Sequence, residues 1–566
     1  MQSFSLAGLR RAALRCRSFR APRRTAASSS GEGEAWQYNM CKRILNARVY
    51  ELAKETPLQL APTLSATLGN GNSVYLKRED LQPVFSFKLR GAYNRIAALS
   101  EAERARGIVA CSAGNHAQGV AMSATALGID AVIVMPKATP AIKVNAVRKF
   151  AGADVKLHGE SYDEAQAEAN QLVEAEGRTL IHPFDDPLVI AGQGTIGLEI
   201  VKQTTAIPLH AVFVCCGGGG MLAGIATYIK RVRPEVMVVG VEAADAAGMT
   251  ASLAAGQLVT LDTVGAFADG AAVKTVGSET FRICRELVDE MVTVTTDEIC
   301  AAIKDGFMDS RVVLEPAGAL AIAGAKKWAR EHQAHGSNFV VTTSGANMDF
   351  DRLRFVSERA DSSETLVAVR IPEAPGSFRK LIAQIEPRNV TEFSYRRIDG
   401  VSWASIHLAF QGSGDRDVEL VLSQMRAAGY QVHDLRENEL AKAHLRGLGG
   451  GRAAVPHEHL IRFEFPERPG ALSHFLDSLN AGWDVSLFSY RNYGSDIGRV
   501  LAGLRAPPGQ EGELRTFLSN LRGAGYESVV EEAANPVRTE FLVVPPREPC
   551  QATREVDLPS SAPRRA

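Results

Sequence analysis

From about residue 60 to 350, short continuous apolar runs alternate with stretches whose apolar positions recur every three or four residues. "IVACSAGNHAQGVAMSATALG" (108–128) reads as strand, turn and helix, and "AVIVMP" as a short buried strand. "VNAVRKFAGADVKLHG" reads as helix, glycine turn and strand; "MVVGVEA" and "FVVTTSG" are further buried strands. β-Branched runs between helices predict strands covered on both faces, hence a parallel sheet in an α/β domain. "AVFVCCGGGGMLAGIATYI" (211–229) is uncharged and long enough to cross a bilayer. Its four successive glycines would each cost a helix about 1 kcal/mol relative to alanine. The expectation is a strand, a glycine loop and a helix, with no membrane-spanning segment.

After about residue 360 the pattern changes to alternation, and the chain repeats itself. "PEAPGSFRKLIAQIEPRNVTEFSYR" (372–396) matches "PERPGALSHFLDSLNAGWDVSLFSYR" (466–491). An alternating strand precedes each copy, "LVAVRI" or "LIRFEF", and "RAAGY" or "RGAGY" follows. The order predicts a βαββαβ, ferredoxin-like α+β unit used twice, at 364–438 and 458–534. The joint "LRGLGGGRAAVPHEH" reads as a flexible linker, and 537–566, rich in Pro, Arg and Ser, as a disordered tail.

Composition adds an asymmetry. The chain has 566 residues, too many for one ordinary domain, and a formal net charge of −1. Near-neutrality gives no reason to expect nucleic acid or an anionic membrane as partner. Yet Arg10, Arg11, Arg15, Arg17, Arg20, Arg23 and Arg24 all precede the first acidic residue, Glu32, in a Ser- and Ala-rich stretch. That composition predicts an organelle transit peptide over 1–34, with a basic arm for an anionic partner as the alternative. No apolar core of a secretory signal is present. The eight cysteines show neither CxxC pairs nor metal-ligand spacing, so they read as free thiols in a reducing compartment, and no metal is expected.

The chemistry begins at "PVFSFKLRGAYNRI" (83–96), where Lys88 stands close to Phe85 and Phe87. Desolvation lowers an amine's pKa, and a neutral amine can form a Schiff base. The ordinary alternative is a lysine whose stem packs on the phenylalanines while its head reaches water. Three other segments bear on the choice. "CCGGGGML" (215–222) offers backbone N–H groups and a helix N-terminus to an anion. It is neither GxGxxG nor a Walker loop, so it suits a phosphate monoester; a ligand-free turn would need fewer glycines. "SAGNHAQG" (112–119) follows a strand, and its Asn115 can hydrogen-bond a phenolic oxygen. His116, alone at a helix start, reads as structural or as a substrate contact. "TTSGAN" also follows a strand, and Ser344 can face a heterocycle nitrogen. Residues at the carboxyl ends of parallel strands are where an open α/β sheet binds ligands.

A Schiff-base lysine, a phosphate cradle, an oxygen partner and a ring-nitrogen partner together describe pyridoxal phosphate. The chain resembles the biosynthetic threonine dehydratases, fold-type II enzymes with a tryptophan-synthase-β-like core. "SFKLRGA", "SAGNHAQG", "GGGGML", "FADGAAVKTVG", "LEPAGAL" and "TSGAN" carry the resemblance in the family's order. The repeats resemble that family's paired ACT-like regulatory domains. The resemblance implies a pyridoxal phosphate core of two three-layer α/β subdomains at 40–358. Within it, Lys88 is the Schiff-base lysine, Asn115 meets the phenolic oxygen, and Ser344 meets the ring nitrogen. Gly217, Gly218, Gly219, Gly220 and Met221 hold the phosphate; the family usually has Leu at 221, and a backbone N–H serves equally from either. Ser112, Gly114 and His116 are implied substrate contacts. The implied reaction converts L-threonine, or L-serine, to a 2-oxo acid and ammonia. Isoleucine is the implied inhibitor, with valine as antagonist, in a homotetramer located in a plastid or a mitochondrion. Tyr493 stands where the family commonly has His, so effector affinity is expected to differ. Serine dehydratases and racemases share the core motifs but usually lack a double regulatory tail. A non-catalytic amino-acid sensor would not need all four cofactor elements.

Overall fold

The computed structural model describes residues 19–20, 31–360 and, with short gaps, 364–542. The chain divides near residue 362 into two compact units. The expected leader lies largely outside the described residues. Its last residues already belong to the helix Gly31–Leu45, and Phe19–Arg20 pair antiparallel with Met291 and Glu290. Most of the interdomain linker and the tail beyond 542 also lie outside them.

The first unit holds two sheets. The strands are β1 (Leu58–Leu60), β2 (Ser73–Lys77), β3 (Ile108–Cys111), β4 (Ala131–Met135), β5 (Ala153–Leu157) and β6 (Thr179–Leu180). β7 (Leu209–Cys215), β8 (Met237–Ala243), β9 (Glu290–Val294) and β10 (Asn338–Thr342) complete them. The larger sheet runs β9-β8-β7-β10-β2-β1, with Phe19–Arg20 outside β9. β9 through β2 are parallel, and β1 turns back antiparallel on β2. The smaller sheet, β5-β4-β3-β6, is wholly parallel. The predicted strands therefore appear where the apolar runs placed them. In β7 only His210 is exposed, because helices cover both faces. The uncharged 211–229 stretch is the end of β7, the glycine turn and part of the helix Gly220–Val232. No helix among the described residues is long and apolar enough to cross a membrane.

The helix Lys88–Ala97 joins the two layers. Ala92 and Ile96 belong to the core of the smaller sheet. Arg90, on the same helix, is fully buried and ties it to the larger one. Its guanidinium donates to Glu79 at 2.7 and 2.8 Å and to Glu199 at 2.6 and 3.0 Å. Lys77 of β2 reaches the same Glu199 at 2.6 Å, so two cations and two carboxylates neutralise one another away from water. The helix Pro187–Gln203 carries Glu199 and starts sharply. Asp186 accepts from the N–H groups of Leu188 and Val189, and proline sits at the first turn.

In the second unit β11 (Glu364–Pro372), β12 (Val390–Tyr395), β13 (Trp403–Gln411) and β14 (Gln431–Asp434) form a sheet ordered β12-β13-β11-β14. β15 (Glu458–Pro466), β16 (Asp484–Arg491), β17 (Ile497–Arg505) and β18 (Glu527–Val530) repeat that order as β16-β17-β15-β18. All pairings are antiparallel, the ferredoxin-like arrangement that the repeat predicted. The central strands β11, β13, β15 and β17 carry buried apolar residues on both sides. Val367, Val369 and Ile371 face one cluster, while Leu366 and Ala368 enter another shared with Leu460 and Leu501 of the second repeat. That shared cluster takes in Val537 and Leu542. The ordered body thus extends through 542, and the expected tail from 537 is corrected: its first residues are apolar and have a core to enter.

Candidate active site

The segments that follow β3, β6, β7 and β10 meet at one recess. Phe87, Lys88, Asn115, Gly217 to Met221 and Ser344 line it, so the residues singled out for a cofactor lie together. Pro183, Phe184, Gln193, Cys215, Gly270, Glu315 and Ala317 complete the wall.

Lys88 opens its helix, and its Nζ donates to the carbonyl of Pro183 at 3.0 Å. The amine lies 5.4 Å from the centre of the Phe87 ring. Burial pushes its pKa down to about 8, with smaller opposing effects from Cys215 and Glu315. Phe85 plays no part in this enclosure: it is 52% exposed and has φ +56°. The apolar wall comes from Phe87 and Phe184, the latter invisible in the sequence because it lies almost a hundred residues away.

The glycine loop leaves β7 and enters the helix Gly220–Val232, with Gly219 at φ +95°. Among the described residues, the N–H groups of Gly217 through Met221 donate to no protein acceptor. Unused donors at a helix N-terminus are what a phosphate ester requires. The loop is also held tightly from behind. A Cβ on Gly218 would stand 2.3 Å from the Phe184 ring, and one on Gly217 2.9 Å from Ala271 Cα.

Asn115 Nδ2 donates to Glu315 Oε1 at 2.6 Å, and its Oδ1 accepts from Asn347 Nδ2 at 2.7 Å. Ser344 is buried and donates to the carbonyl of Ala317 at 3.2 Å. Cys215 also hydrogen-bonds Ser344, and burial pushes this thiol up to about 12, so it stays protonated. Glu315 is buried too; desolvation, then Asp269, push its carboxyl up to about 7.

The expected substrate contacts do not line the recess. His116 is enclosed, with Nε2 on the carbonyl of Ile181 at 2.8 Å, Nδ1 unpartnered, and burial holding its pKa down at about 3. It is neutral and faces inward from the Asn115–Leu127 helix. Ser112 and Gly114 lie in the turn before that helix; Ser112 Oγ accepts from the Gly114 N–H, and the space beside Gly114 is open. Sequence reasoning gave no role to Glu315 or Gln193. Glu315 sits within "LEPAGAL", the one signal that could have raised it. No group of three or more His, Cys, Asp or Glu residues able to hold a metal occurs among the described residues, and the six cysteines described are free and buried.

Residues 49–345 match the family described as pyridoxal-phosphate dependent enzyme. Residues 357–445 and 449–542 match the C-terminal regulatory domain of threonine dehydratase. The chloroplastic biosynthetic threonine dehydratase 1 of Solanum lycopersicum is 50% identical over 88% of this chain and 82% of its own length. The mitochondrial threonine dehydratase of Schizosaccharomyces pombe is 51% identical over 88% and 83%. The chain belongs to the threonine dehydratase family. A solved structure of processed threonine deaminase isoform 2 from Solanum lycopersicum superposes with a TM-score of 0.57 at 48% identity, covering 60% of this chain and 91% of that one. Like the family as a whole, the chain is a pyridoxal-phosphate dependent enzyme, and it carries the threonine dehydratase regulatory domain. The recess fits that cofactor on its own terms: a desolvated amine, unused N–H donors at a helix start and a buried hydroxyl surround one space.

Proposed function

We propose that this chain dehydrates and deaminates L-threonine to 2-oxobutanoate and ammonia, the first committed step of isoleucine biosynthesis. The observation that carries the reading is the convergence of Lys88, Asn115, the Gly217–Met221 loop and Ser344 on one recess. Bound pyridoxal phosphate supplies the electron sink for a carbanion at Cα of the amino acid. The N–H groups of Gly217 to Met221 hold its phosphate, and Asn115 faces its phenolic oxygen. Lys88 would hold the cofactor through its aldehyde carbon, and its free amine would take the substrate's Cα proton at Nζ. A pKa near 8 suits that task, since a sizeable neutral fraction exists at neutral pH. Ser344 presents a hydroxyl, too weak an acid partner to keep a proton on a pyridine nitrogen. That favours loss of a β-hydroxyl over transamination. One methyl group separates threonine from serine and gives a pocket only about 1–3 kcal/mol of discrimination, so the reading extends to L-serine.

The repeats from 364 to 542 bind amino-acid effectors, isoleucine as inhibitor and valine as its antagonist, within a homotetramer. The arginine-rich leader directs the chain to a plastid, with the mitochondrion as the alternative; relatives are named for both compartments. The test uses purified residues 35–566 with pyridoxal phosphate and L-threonine, following 2-oxobutanoate with and without isoleucine. Production suppressed by isoleucine is expected. Production indifferent to isoleucine would leave the catalytic reading and remove the effector assignment; absence of production would remove the substrate.

A further inference from the structure

"LEPAGAL" and "TSGAN" meet at Glu315. The residue immediately precedes the helix Pro316–Glu331, and its N–H donates to the carbonyl of Gly345 at 3.2 Å. There is no slack here: a Cβ on Gly345 would stand 2.2 Å from Glu315 Oε1, and one on Gly318 would stand 2.1 Å from Gly345 O. Glu315 Oε1 receives Asn115 Nδ2 at 2.6 Å. On the far side of the amide, Asn347 Nδ2 donates both to Asn115 Oδ1 at 2.7 Å and to the carbonyl of Val84 at 2.8 Å. A carbonyl accepts only, so Val84 fixes which end of Asn347 is the nitrogen. That in turn fixes the oxygen of Asn115 toward Asn347 and its nitrogen toward Glu315. An amide nitrogen carries two N–H bonds. Glu315 takes one, and Asn115 lines the recess with the other to give.

We infer that Glu315 is a positioning residue for the cofactor's phenolic oxygen: with Asn347 it clamps the Asn115 amide so that one N–H remains for the recess. The inference rests on reading the recess as the pyridoxal phosphate site. The other carboxylate oxygen of Glu315 has no hydrogen-bond partner among the described residues. The charged and titratable groups facing Glu315 come from several elements. Asp269 opposes its ionisation, while Lys143 and Arg352 favour it; Lys88 and Cys215 feel its charge across the recess. Burial and Asp269 prevail, so the carboxyl changes state at about 7. Above that pH it is a pure acceptor and holds Asn115 firmly. Below it, the neutral acid's own O–H competes and the hold loosens.

The test compares the wild-type chain with Glu315→Gln, Glu315→Ala and Asn347→Ala, measuring pyridoxal phosphate affinity and the bound cofactor's absorption band from pH 6 to 9. Loss of one aligned hydrogen bond predicts about tenfold weaker cofactor binding and a shifted band for Glu315→Ala and for Asn347→Ala. Glu315→Gln retains an acceptor at the same place, so affinity is kept, while the spectral step near pH 7 disappears. Wild-type affinity and band in Glu315→Ala would overturn the clamp, as would an intact step in Glu315→Gln. If Glu315→Ala does not fold, Asn347→Ala decides: unchanged affinity and band there overturn it. A wild-type chain that takes up no pyridoxal phosphate would instead overturn the cofactor reading and the clamp together.

Discussion

Lys88 and Gln193 illustrate two ways in which a buried polar group is informative. The Lys88 amine has one hydrogen-bond partner among the described residues, the Pro183 carbonyl, and lies beside the Phe87 ring. Its pKa falls because burial penalises the ammonium. Only the neutral amine attacks an aldehyde. The rate of pyridoxal phosphate capture, read from the growth of the visible band, is therefore expected to rise with pH and level off above about 8. Lys88→Ala should form no such band while remaining folded. Gln193 is buried in the same wall, and its Oε1 has no hydrogen-bond partner. An unsatisfied buried acceptor costs about 1–3 kcal/mol. Natural chains retain such a cost where a ligand repays it. Gln193→Leu is accordingly expected to raise the melting temperature of the cofactor-free chain and to lower its affinity for pyridoxal phosphate. A stability gain with unchanged affinity would reduce Gln193 to a packing residue.

At the level of elements, the glycine turn after β7 couples sequence to chemistry most directly. Gly218 has no room for a side chain, because the Phe184 ring lies 2.3 Å from an added Cβ. Gly218→Ala must displace the loop or the ring, and either movement misaligns the N–H groups of Gly217 to Met221. The expected result is a folded chain with at least about tenfold weaker pyridoxal phosphate binding, the cost of roughly one lost hydrogen bond. Comparison across the elements shows what local sequence can reveal. β3, β4, β7, β8 and β10 were legible because burial on both faces leaves continuous apolar runs, and Asn115, the Gly217–Met221 loop and Ser344 stood out as candidates because they follow such strands. For His116 the sequence left a structural role and a substrate contact open, because the helix face a ring occupies is not visible in a turn motif. Phe85 misled for a similar reason, since adjacency along the chain does not give direction, and a left-handed residue turns its side chain outward. Glu315, Gln193 and Phe184 come from segments far from Lys88 in sequence; "LEPAGAL" marks the neighbourhood of Glu315, and nothing marks that of Gln193 or Phe184. The ionic cluster of Lys77, Glu79, Arg90 and Glu199 was equally hidden, because its members look like ordinary charged positions until burial is seen.

On the scale of the whole molecule, the repeats explain why the central strands β11, β13, β15 and β17 are apolar on both sides. In an isolated ferredoxin-like unit one sheet face covers the helices and the other meets water. Here β17 sends Val500, Ala502 and Leu504 to its own helices and Leu501 to the cluster that both repeats share. Leu366, Ala409, Leu440 and Leu460 enter that cluster, and Ser405 adds a hydrogen bond to Glu540 at 3.0 Å. The two repeats are therefore one folding unit, although the sequence shows them as separate copies. An effector can act on enzyme activity only by binding one state of this unit more tightly than another, and a shared core couples the states of the two repeats. Leu501 is fully buried, and Leu501→Ala leaves a cavity expected to cost about 2–5 kcal/mol. That loss falls on the regulatory unit, whereas the catalytic unit has its own core and keeps its basal turnover. The variant should show an earlier regulatory melting transition, normal pyridoxal phosphate binding, and a blunted response to isoleucine. A response retained in full, despite the earlier transition, would mean that each repeat senses its ligand alone and that the shared cluster serves assembly only.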